Sequence, residues 1–318
     1  MNERKDLTTN RVPEEKSFWG KEEAEKYAVA KHGPDGRKFL DPYLYGALEG
    51  EAIQGKDVID IGAGAGAWTK HINEKGSRSV VSADINWAMV SKAKADIGGS
   101  GELPQGIMPV QADATKLPFN DNQFDTAVSI NVGCNLPEEA FKNQFNEALR
   151  VVKKDGKFIV TAPISLLEVF SKEETEGLSP DLIQEKIDNL WANQYEGGVK
   201  STAKEIIGSF EEILRGTFIL DKEGKPILIT KENRNLVKPG DPILRKLPGL
   251  VVENNYHTAE EYEEAAQAAG WKIESLKKES FSSEEERMDY NKSVPKGEQL
   301  GEAYVGNPPF LVMVLEKS

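Results

Sequence analysis

The chain is 318 residues long, with 38% hydrophobic and 29% charged residues and a formal net charge of -13. This length allows one large domain or a domain with an addition, and the acidic charge disfavours a nucleic-acid partner, because phosphate backbones are bound by basic surfaces. The single cysteine excludes an internal disulfide, and the three histidines are too scattered to predict a metal site. No apolar stretch reaches about 18 residues, so no membrane segment is predicted. Together these features favour a cytoplasmic protein.

Residues 1–50 are predicted to form a polar tail followed by two short helices. Residues 1–16 are polar and charged, and an aromatic pair then leads into a helical pattern over 17–30. Asp41 and Pro42 open the second helix, because aspartate suits the N-cap and proline suits the first helical position.

From residue 58 to residue 162, strands and helices alternate along the chain. The patterns predict strands at 58–61, 79–83, 107–111, 124–130 and 157–162, and helices at 67–74, 87–96 and 137–152. Alternation of this kind is typical of a parallel sheet with helices on both faces. With two further strands near the C-terminus, the sequence predicts an α/β, doubly wound, Rossmann-like fold with a mostly parallel seven-stranded sheet.

The alternation stops between residues 164 and 257, where we predict an insertion with helices and a hairpin. The helices are expected around 180–195 and 204–214, and the hairpin strands at 217–220 and 226–230. The stretch 231–246 carries five basic residues against two acidic ones. It could hold an anionic substrate, but a solvated loop is the simpler interpretation.

The alternation resumes at Thr258, which forms a capping-box pattern with Glu261. A helix to Gly270 follows, then a strand at 271–276, an acidic loop and a strand at 310–315. The chain is therefore predicted to have three parts, which are an N-terminal tail and helices at 1–50, a ligand-binding core at 51–163 and 258–318, and an insertion at 164–257.

Asp60 comes two residues before a run of alternating glycines, Gly62, Gly64 and Gly66. A strand that breaks into glycines is typical of a turn where backbone N–H groups approach a nucleotide-like ligand. With Asp84 about 20 residues on, the run nearly fits a dinucleotide fingerprint. The Asp60 carboxylate, however, would repel a pyrophosphate and attract an ammonium or sulfonium group. These residues therefore favour S-adenosylmethionine over NAD(P).

The whole order of motifs resembles the class I S-adenosylmethionine-dependent methyltransferases of the small-molecule type. The resemblance is close over residues 55–163 and loose over 258–316. It implies that Asp60 meets the amino group of the methionine end, directly or through water. It also implies a cradle for that end made by Gly62, Ala63, Gly64 and Gly66. The alternative is an ordinary strand-to-helix turn that needs glycine for packing.

Two further acidic residues follow the second and third strands. Asp84 ends the second strand, where a carboxylate can accept hydrogen bonds from both ribose hydroxyls, and the resemblance implies that Ile85 packs on the adenine face. Asp113 and Ala114 begin a D-A-x-x-L-P-F phrase that the family uses to contact adenine. The alternatives are an N-cap for the helix at residue 87, in the case of Asp84, and a turn aspartate, in the case of Asp113.

The remaining candidates lie at the fourth strand, in the N-terminal segment and before the C-terminal helix. Asn131 and Val132 come at the end of the fourth strand beside the expected ligand crevice. Asn131 would face the transferring methyl group or the substrate and is a candidate catalytic residue, although it could simply turn the chain. Tyr27 lies in a stretch similar to the family's lid helix and either reaches the methionine carboxylate or packs in the core. His257 could act as a general base, but a place beside a helix start is the simpler interpretation.

The sequence therefore predicts an S-adenosylmethionine-dependent methyltransferase that moves a methyl group in line to an oxygen, nitrogen or carbon atom of a small molecule. No catalytic residue is predicted firmly, because alignment of the reacting atoms can carry much of such a transfer. The alternatives are a non-catalytic binding module and an NAD(P)-binding oxidoreductase. We expect the insertion at 164–257 and the N-terminal helices to form a cap over the carboxyl ends of the strands. This cap would select the substrate. The alternative is that the insertion forms the contact of a homodimer.

Overall fold

The computed structural model describes residues 44, 46–164, 179–193, 201–210, 216–230, 233–247, 250–279, 283–293 and 310–318. The chain divides into two compact units. The core unit comprises Met1–Ala162, Tyr262–Lys277 and Val312–Ser318, and the second unit comprises Pro163–Glu261 and Lys278–Leu311. The candidate Tyr27 lies outside the described residues.

The described elements follow the predicted order closely. The strands are β1 (Asp57–Ile61), β2 (Ser79–Asp84), β3 (Ile107–Gln111), β4 (Phe124–Ile130), β5 (Val152–Pro163), β6 (Gly216–Leu220), β7 (Pro226–Leu228), β8 (Pro242–Leu247), β9 (Leu250–Asn255), β10 (Trp271–Glu279) and β11 (Phe310–Lys317). The helices are α1 (Ala67–Glu74), α2 (Trp87–Gly98), α3 (Glu138–Val151), α4 (Pro180–Asn193), α5 (Ala203–Ser209), α6 (Ala259–Ala269) and α7 (Glu284–Ser293).

The core unit is built on a seven-stranded sheet with the order β10-β11-β5-β4-β1-β2-β3. Strand β1 runs parallel to both β2 and β4, and β2 and β4 run parallel to β3 and β5. The predicted Rossmann-like α/β fold is confirmed. The strand order reverses between β1 and β4, and the ligand crevice of such a sheet lies at the carboxyl ends of the strands on either side of the reversal.

The central strands of this sheet are buried along their length. In β1, Val58, Ile59 and Ile61 are at most 1% exposed, which is typical of a parallel strand covered on both faces. Trp68 and Ile72 lie one turn apart on α1 and belong to the same hydrophobic cluster as Val58. This packing fixes α1 against the sheet and thereby fixes the turn that connects it to β1.

The second unit has an antiparallel sheet with the order β7-β6-β8-β9. Strands β6 and β7 form the predicted hairpin, which is confirmed. One hydrophobic cluster joins this sheet to α4 and α5, and it includes Ile187, Trp191, Ile207 and Phe218. All members of that cluster belong to the second unit, so this unit has a core of its own.

The prediction of a solvated loop over 231–246 is wrong at its C-terminal end. Residues 242–247 form β8, which pairs with both β6 and β9. Arg245 and Lys246 are therefore each only 4% exposed. Lys246 Nζ donates to the carbonyl oxygens of Ile207 and Gly208 at 3.0 and 3.1 Å. These carbonyls lie at the C-terminal end of α5, where a positive charge is favourable.

The predicted acidic loop between β10 and β11 contains α7, so that prediction is also wrong in part. Ser283 Oγ accepts a hydrogen bond from the backbone N–H of Glu286 at 3.2 Å. The first turn of α7 is acidic, and negative side chains stabilise a helix N-terminus. The run of glutamates therefore starts a helix. Within the described part of the chain, no helix has the length and apolar character needed to span a membrane.

Candidate active site

The glycine turn joins β1 to α1 at the carboxyl end of the core sheet. The backbone N–H groups of Gly62 and Ala63 donate to the carbonyl oxygen of Ala83 at 2.7 and 3.0 Å. Gly66 has a left-handed backbone, with φ of 82°, and is the N-cap of α1. The turn is thus fastened to β2 at its start and to α1 at its end.

The three glycines of the turn differ in what surrounds them. A Cβ atom on Gly62 would lie 2.3 Å from Val132 Cγ2, and one on Gly66 would lie 2.6 Å from Ile97 Cδ1. Gly64, with φ of 57°, has no atom within 4 Å of the place a Cβ would take. Packing therefore requires glycine at the two outer positions, whereas the space at Gly64 is open to a ligand.

This difference predicts that two alanine substitutions affect different properties, one mainly the stability of the protein and the other mainly its affinity for the donor. Gly62→Ala should lower the free energy of unfolding by roughly 2–5 kcal/mol, because it adds a steric overlap to left-handed strain. Gly64→Ala should cost only about 1–2 kcal/mol, the strain of a left-handed alanine, but should weaken binding of the methionine end of the donor. Urea unfolding and calorimetry with S-adenosylhomocysteine measure the two effects. Unchanged ligand affinity in Gly64→Ala would contradict the assignment of the open space.

Asp60 is a buried carboxyl group at the end of β1. Its side chain is 2% exposed, and its Oδ2 accepts a hydrogen bond from Thr69 Oγ1 at 2.7 Å. The pKa of Asp60 is raised to about 7, because burial and, to a smaller extent, the nearby Asp84 carboxyl raise it while the hydrogen bond from Thr69 opposes the rise. A buried carboxyl in this state gains most from a cationic ligand group, since a neighbouring positive charge favours the ionised form.

Asp84 connects the glycine turn to the end of β2. Its Oδ2 accepts a hydrogen bond from the N–H of Gly64 at 2.9 Å, and its Oδ1 accepts one from the N–H of Asn86 at 2.8 Å. The alternative of an N-cap role is wrong, because Asn86 is the N-cap of α2 and accepts from the N–H of Ala88. Burial raises the pKa of Asp84, and the two backbone bonds oppose the rise. A carboxylate has about four acceptor sites, so two remain for ribose hydroxyls.

Asp113 forms the turn that its alternative interpretation proposed. Its Oδ1 accepts hydrogen bonds from the N–H and the Oγ1 of Thr115 at 2.9 and 2.7 Å, a pattern typical of an Asx turn. The turn does not conflict with the ligand role, because a carboxylate has two oxygen atoms. That role stays a prediction.

The loop after β3 is tied to the end of β2. The N–H of Ala112 donates to the carbonyl oxygen of Asp84 at 2.9 Å, and Gln111 Nε2 donates to the carbonyl oxygen of Ile85 at 2.9 Å. Ile85 and Ala114 are both half-buried. The structure thus places Asp84, the predicted ribose ligand, close to Ile85, Asp113 and Ala114, the predicted adenine contacts, at the carboxyl ends of β2 and β3.

Asn131 turns the chain at the end of β4. Its backbone is left-handed, with φ of 56°, and its side chain is 8% exposed. The N–H of Asn131 donates to the carbonyl oxygen of Thr161 at 2.9 Å, and its own carbonyl oxygen accepts from Asn135 Nδ2 at 3.0 Å. This conformation sets the place of Val132, which packs on Gly62. Asn131 therefore turns the chain and Val132 packs against the glycine turn, while contact of either residue with the donor stays a prediction.

His257 belongs to the second unit and is 1% exposed. Its Nδ1 lies 3.8 Å from Glu261 Oε2. The predicted capping box is confirmed, since Thr258 Oγ1 accepts from the N–H of Glu261 and Glu261 Oε2 accepts from the N–H of Thr258. These contacts describe a buried histidine beside a helix start.

Two polar residues behind Asp60 were not predicted. Thr69 is fully buried and Ser82 is 2% exposed, and their side-chain oxygens lie 3.0 Å apart. Thr69 fixes the Asp60 carboxyl from α1, and Ser82 supports Thr69 from β2. A signal was present in the sequence, because each is a hydroxyl residue among apolar neighbours of a buried element.

These residues fit S-adenosylmethionine better than a dinucleotide. Asp60 offers a buried negative group to an ammonium, Gly64 leaves room above the turn, and Asp84 offers acceptors to ribose. A pyrophosphate in the same turn would be repelled by the acidic side chains of Asp60 and Asp84.

Comparisons with known proteins agree with this assignment. Residues 59–160 match the model of a family described as a methyltransferase domain. The chain is 29% identical over 147 residues to a demethylmenaquinone methyltransferase of Clavibacter sepedonicus, covering 45% of this chain and 57% of that protein. It is 38% identical over 112 residues to the ubiquinone/menaquinone biosynthesis C-methyltransferase UbiE of Pseudomonas fluorescens, covering 33% of this chain and 41% of that protein. The matches thus span between 41% and 57% of these relatives.

Among solved structures, the chain resembles an S-adenosylmethionine-dependent methyltransferase from Mesorhizobium loti. The TM-score is 0.51 at 17% identity, and the likeness covers 88% of this chain and 98% of that one. At this identity the likeness shows the fold. Residues 59–160 of this chain therefore match a methyltransferase domain, and the fold is that of an S-adenosylmethionine-dependent methyltransferase.

Proposed function

We propose that the protein transfers a methyl group from S-adenosylmethionine to a nucleophilic atom of a small molecule. The observation that carries this proposal is the arrangement of a buried Asp60, an open Gly64 and a connected Asp84 at the carboxyl end of the core sheet. When bound, the cofactor supplies a methyl group on a positively charged sulfur.

The residues of the core unit bind and orient the cofactor in this proposal. Asp60 holds the ammonium group, the turn at Gly64 accommodates the methionine end, and Asp84 accepts hydrogen bonds from the ribose. Fixing both ends of the cofactor fixes the methyl group between them. An acceptor atom placed in line with it gains the rate advantage of an intramolecular reaction, without a covalent intermediate.

We further propose a carbon atom of a small molecule as the methyl acceptor. The relatives support this through their names, since one acts on demethylmenaquinone and another is a C-methyltransferase. The net charge of -13 also disfavours a nucleic-acid acceptor. The matches cover 45% and 33% of this chain, so the names of these relatives support the class of the acceptor and not its identity.

We also propose that the insertion at 164–257 selects this acceptor. The described part of the insertion folds around its own hydrophobic cluster, which includes Trp191 and Phe218. A connection between a strand and the next helix commonly needs about 2–6 residues, so a segment of this length has a use beyond connection. The residues assigned to the donor all lie in the core unit, and none is assigned to the acceptor, so we assign selection of the acceptor to the insertion.

Calorimetry with the purified full-length protein tests the proposed donor. S-adenosylmethionine and S-adenosylhomocysteine should bind, and NADH titrated in parallel should not. A radiolabelled donor incubated with reduced quinones and with a lipid extract should then give a labelled small molecule. Binding of NADH in place of the donor would favour an oxidoreductase, and donor binding without transfer to any of these acceptors would favour a non-catalytic module.

A further inference from the structure

Arg150, near the C-terminal end of α3, uses all five of its N–H donors. Its Nε and one Nη2 hydrogen meet the two carboxylate oxygens of Glu147, both at 2.8 Å. Its remaining donors reach the carbonyl oxygen of Leu117 at 2.9 Å, the carbonyl oxygen of Phe119 at 2.8 Å and Asp121 Oδ1 at 2.9 Å. The planar guanidinium group offers these donors in a fixed fork.

Glu147, the ion-pair partner of Arg150, also binds the backbone of Leu117. Its Oε2 accepts a hydrogen bond from the N–H of Leu117 at 2.7 Å, so the ion pair binds both the N–H and the carbonyl group of that residue. Leu117 is 4% exposed and Phe119 is 8% exposed. The Phe119 ring packs edge-on against Phe124 at 5.2 Å between centroids.

The segment held in this way is the loop that carries the candidate adenine residues. Asp113 and Ala114 lie between two fixed points of the chain. The first is Ala112, whose N–H donates to Asp84, and the second is Leu117, held by Glu147 and Arg150. The charged pair therefore sets where the short turn between these points lies.

We propose that Arg150 is a positioning residue for cofactor binding, which holds the loop 113–119 so that Asp113 and Ala114 meet the adenine ring. This inference rests on the proposed function, because it assigns the loop to S-adenosylmethionine. Arg150 acts through the loop backbone and need not touch the ligand. The fork is essential to this role, since a lysine offers one compact ammonium and cannot serve five acceptors spread over three loop residues and a carboxylate.

The full-length Arg150→Lys variant tests this proposal. It should weaken binding of S-adenosylhomocysteine and of free adenosine by the same factor, about tenfold, the scale for losing one or two hydrogen bonds. Both ligands carry adenine, so the loss should not depend on the methionine end. The matched control is Arg78→Lys. Arg78 pairs with Asp57 and Asp125 at the amino ends of the strands, so both affinities should stay within about twofold.

Hydrogen exchange distinguishes positioning from plain stability. The amide of Leu117 should exchange faster in Arg150→Lys at a temperature where the melting curve shows the variant folded. If Arg150→Lys folds poorly, Glu147→Gln replaces it, since glutamine can still accept from the Leu117 N–H but removes the charge from the pair. A lowered melting temperature with unchanged affinity for both ligands would overturn the proposal. Failure of the wild-type protein to bind S-adenosylhomocysteine would instead refute the proposed function on which it rests.

Discussion

Replacing Asp60 with asparagine is expected to weaken donor binding and, at pH 8, to stabilise the unliganded protein. Asparagine keeps an acceptor for Thr69 but cannot carry the negative charge that an ammonium group needs. Donor affinity should therefore fall by roughly 10- to 100-fold, which corresponds to about 1–3 kcal/mol for a charge-assisted hydrogen bond. The gain in stability comes from removing a carboxyl group that is 2% exposed.

The pH dependence of this effect follows from the raised pKa. The pKa of Asp60 is about 7 in the folded chain against an ordinary value of 3.8. Between these values the unfolded chain has lost the proton and the folded chain keeps it, so wild-type stability falls as pH rises from about 4 to about 7. The whole difference corresponds to roughly 4 kcal/mol. Asp60→Asn lacks this loss, so the two proteins should differ little at pH 4 and most at pH 8.

Urea unfolding at pH 5 and pH 8 and calorimetry with S-adenosylmethionine measure both parts of this prediction. The wild-type affinity should also rise with pH through about 7, because the ammonium binds the ionised carboxyl. Asp57→Asn is the matched control, since Asp57 lies on the same strand at its other end, beside Arg78. Equal donor affinity in Asp60→Asn and the wild type would remove Asp60 from the cofactor site.

Replacing residues 164–257 with a short linker should abolish methyl transfer while leaving donor binding within a few-fold of the wild type. The hydrophobic cluster around β1 and α1 includes no residue of this segment. The residues assigned to the cofactor also lie in the core unit, so the donor site should survive. Turnover should be lost, because the proposed acceptor site is removed.

A point variant in the full-length chain tests the same idea without a deletion. Trp191→Ala empties part of the second unit's cluster, where Trp191 is 7% exposed, a type of change that costs roughly 3–5 kcal/mol. It should raise the KM for the acceptor and leave the Kd for the donor unchanged. Full turnover in the linker variant would show that acceptor selection does not depend on the insertion, and loss of donor binding in either variant would place part of the donor site there.

The sequence by itself determined the core fold and the kind of ligand. The strands of the core and the helices between them were predicted from hydrophobic patterns that span only a few residues each, and such patterns are local. Asp60 and the glycines after it indicated a cationic, phosphate-free cofactor for the same reason, because charge and glycine content are properties of one short segment.

Only the tertiary structure decided what individual residues do within that frame. Gly62 is required by Val132 and Gly66 by Ile97, whereas Gly64 faces open space. Arg245 and Lys246 looked solvated because their burial depends on strands paired from both sides. No local pattern distinguishes Arg150 near the end of its predicted helix, yet it binds the carbonyl oxygen of Leu117, 33 residues earlier in the chain. Contacts of this kind join residues far apart in sequence, and no local pattern records which of them meet.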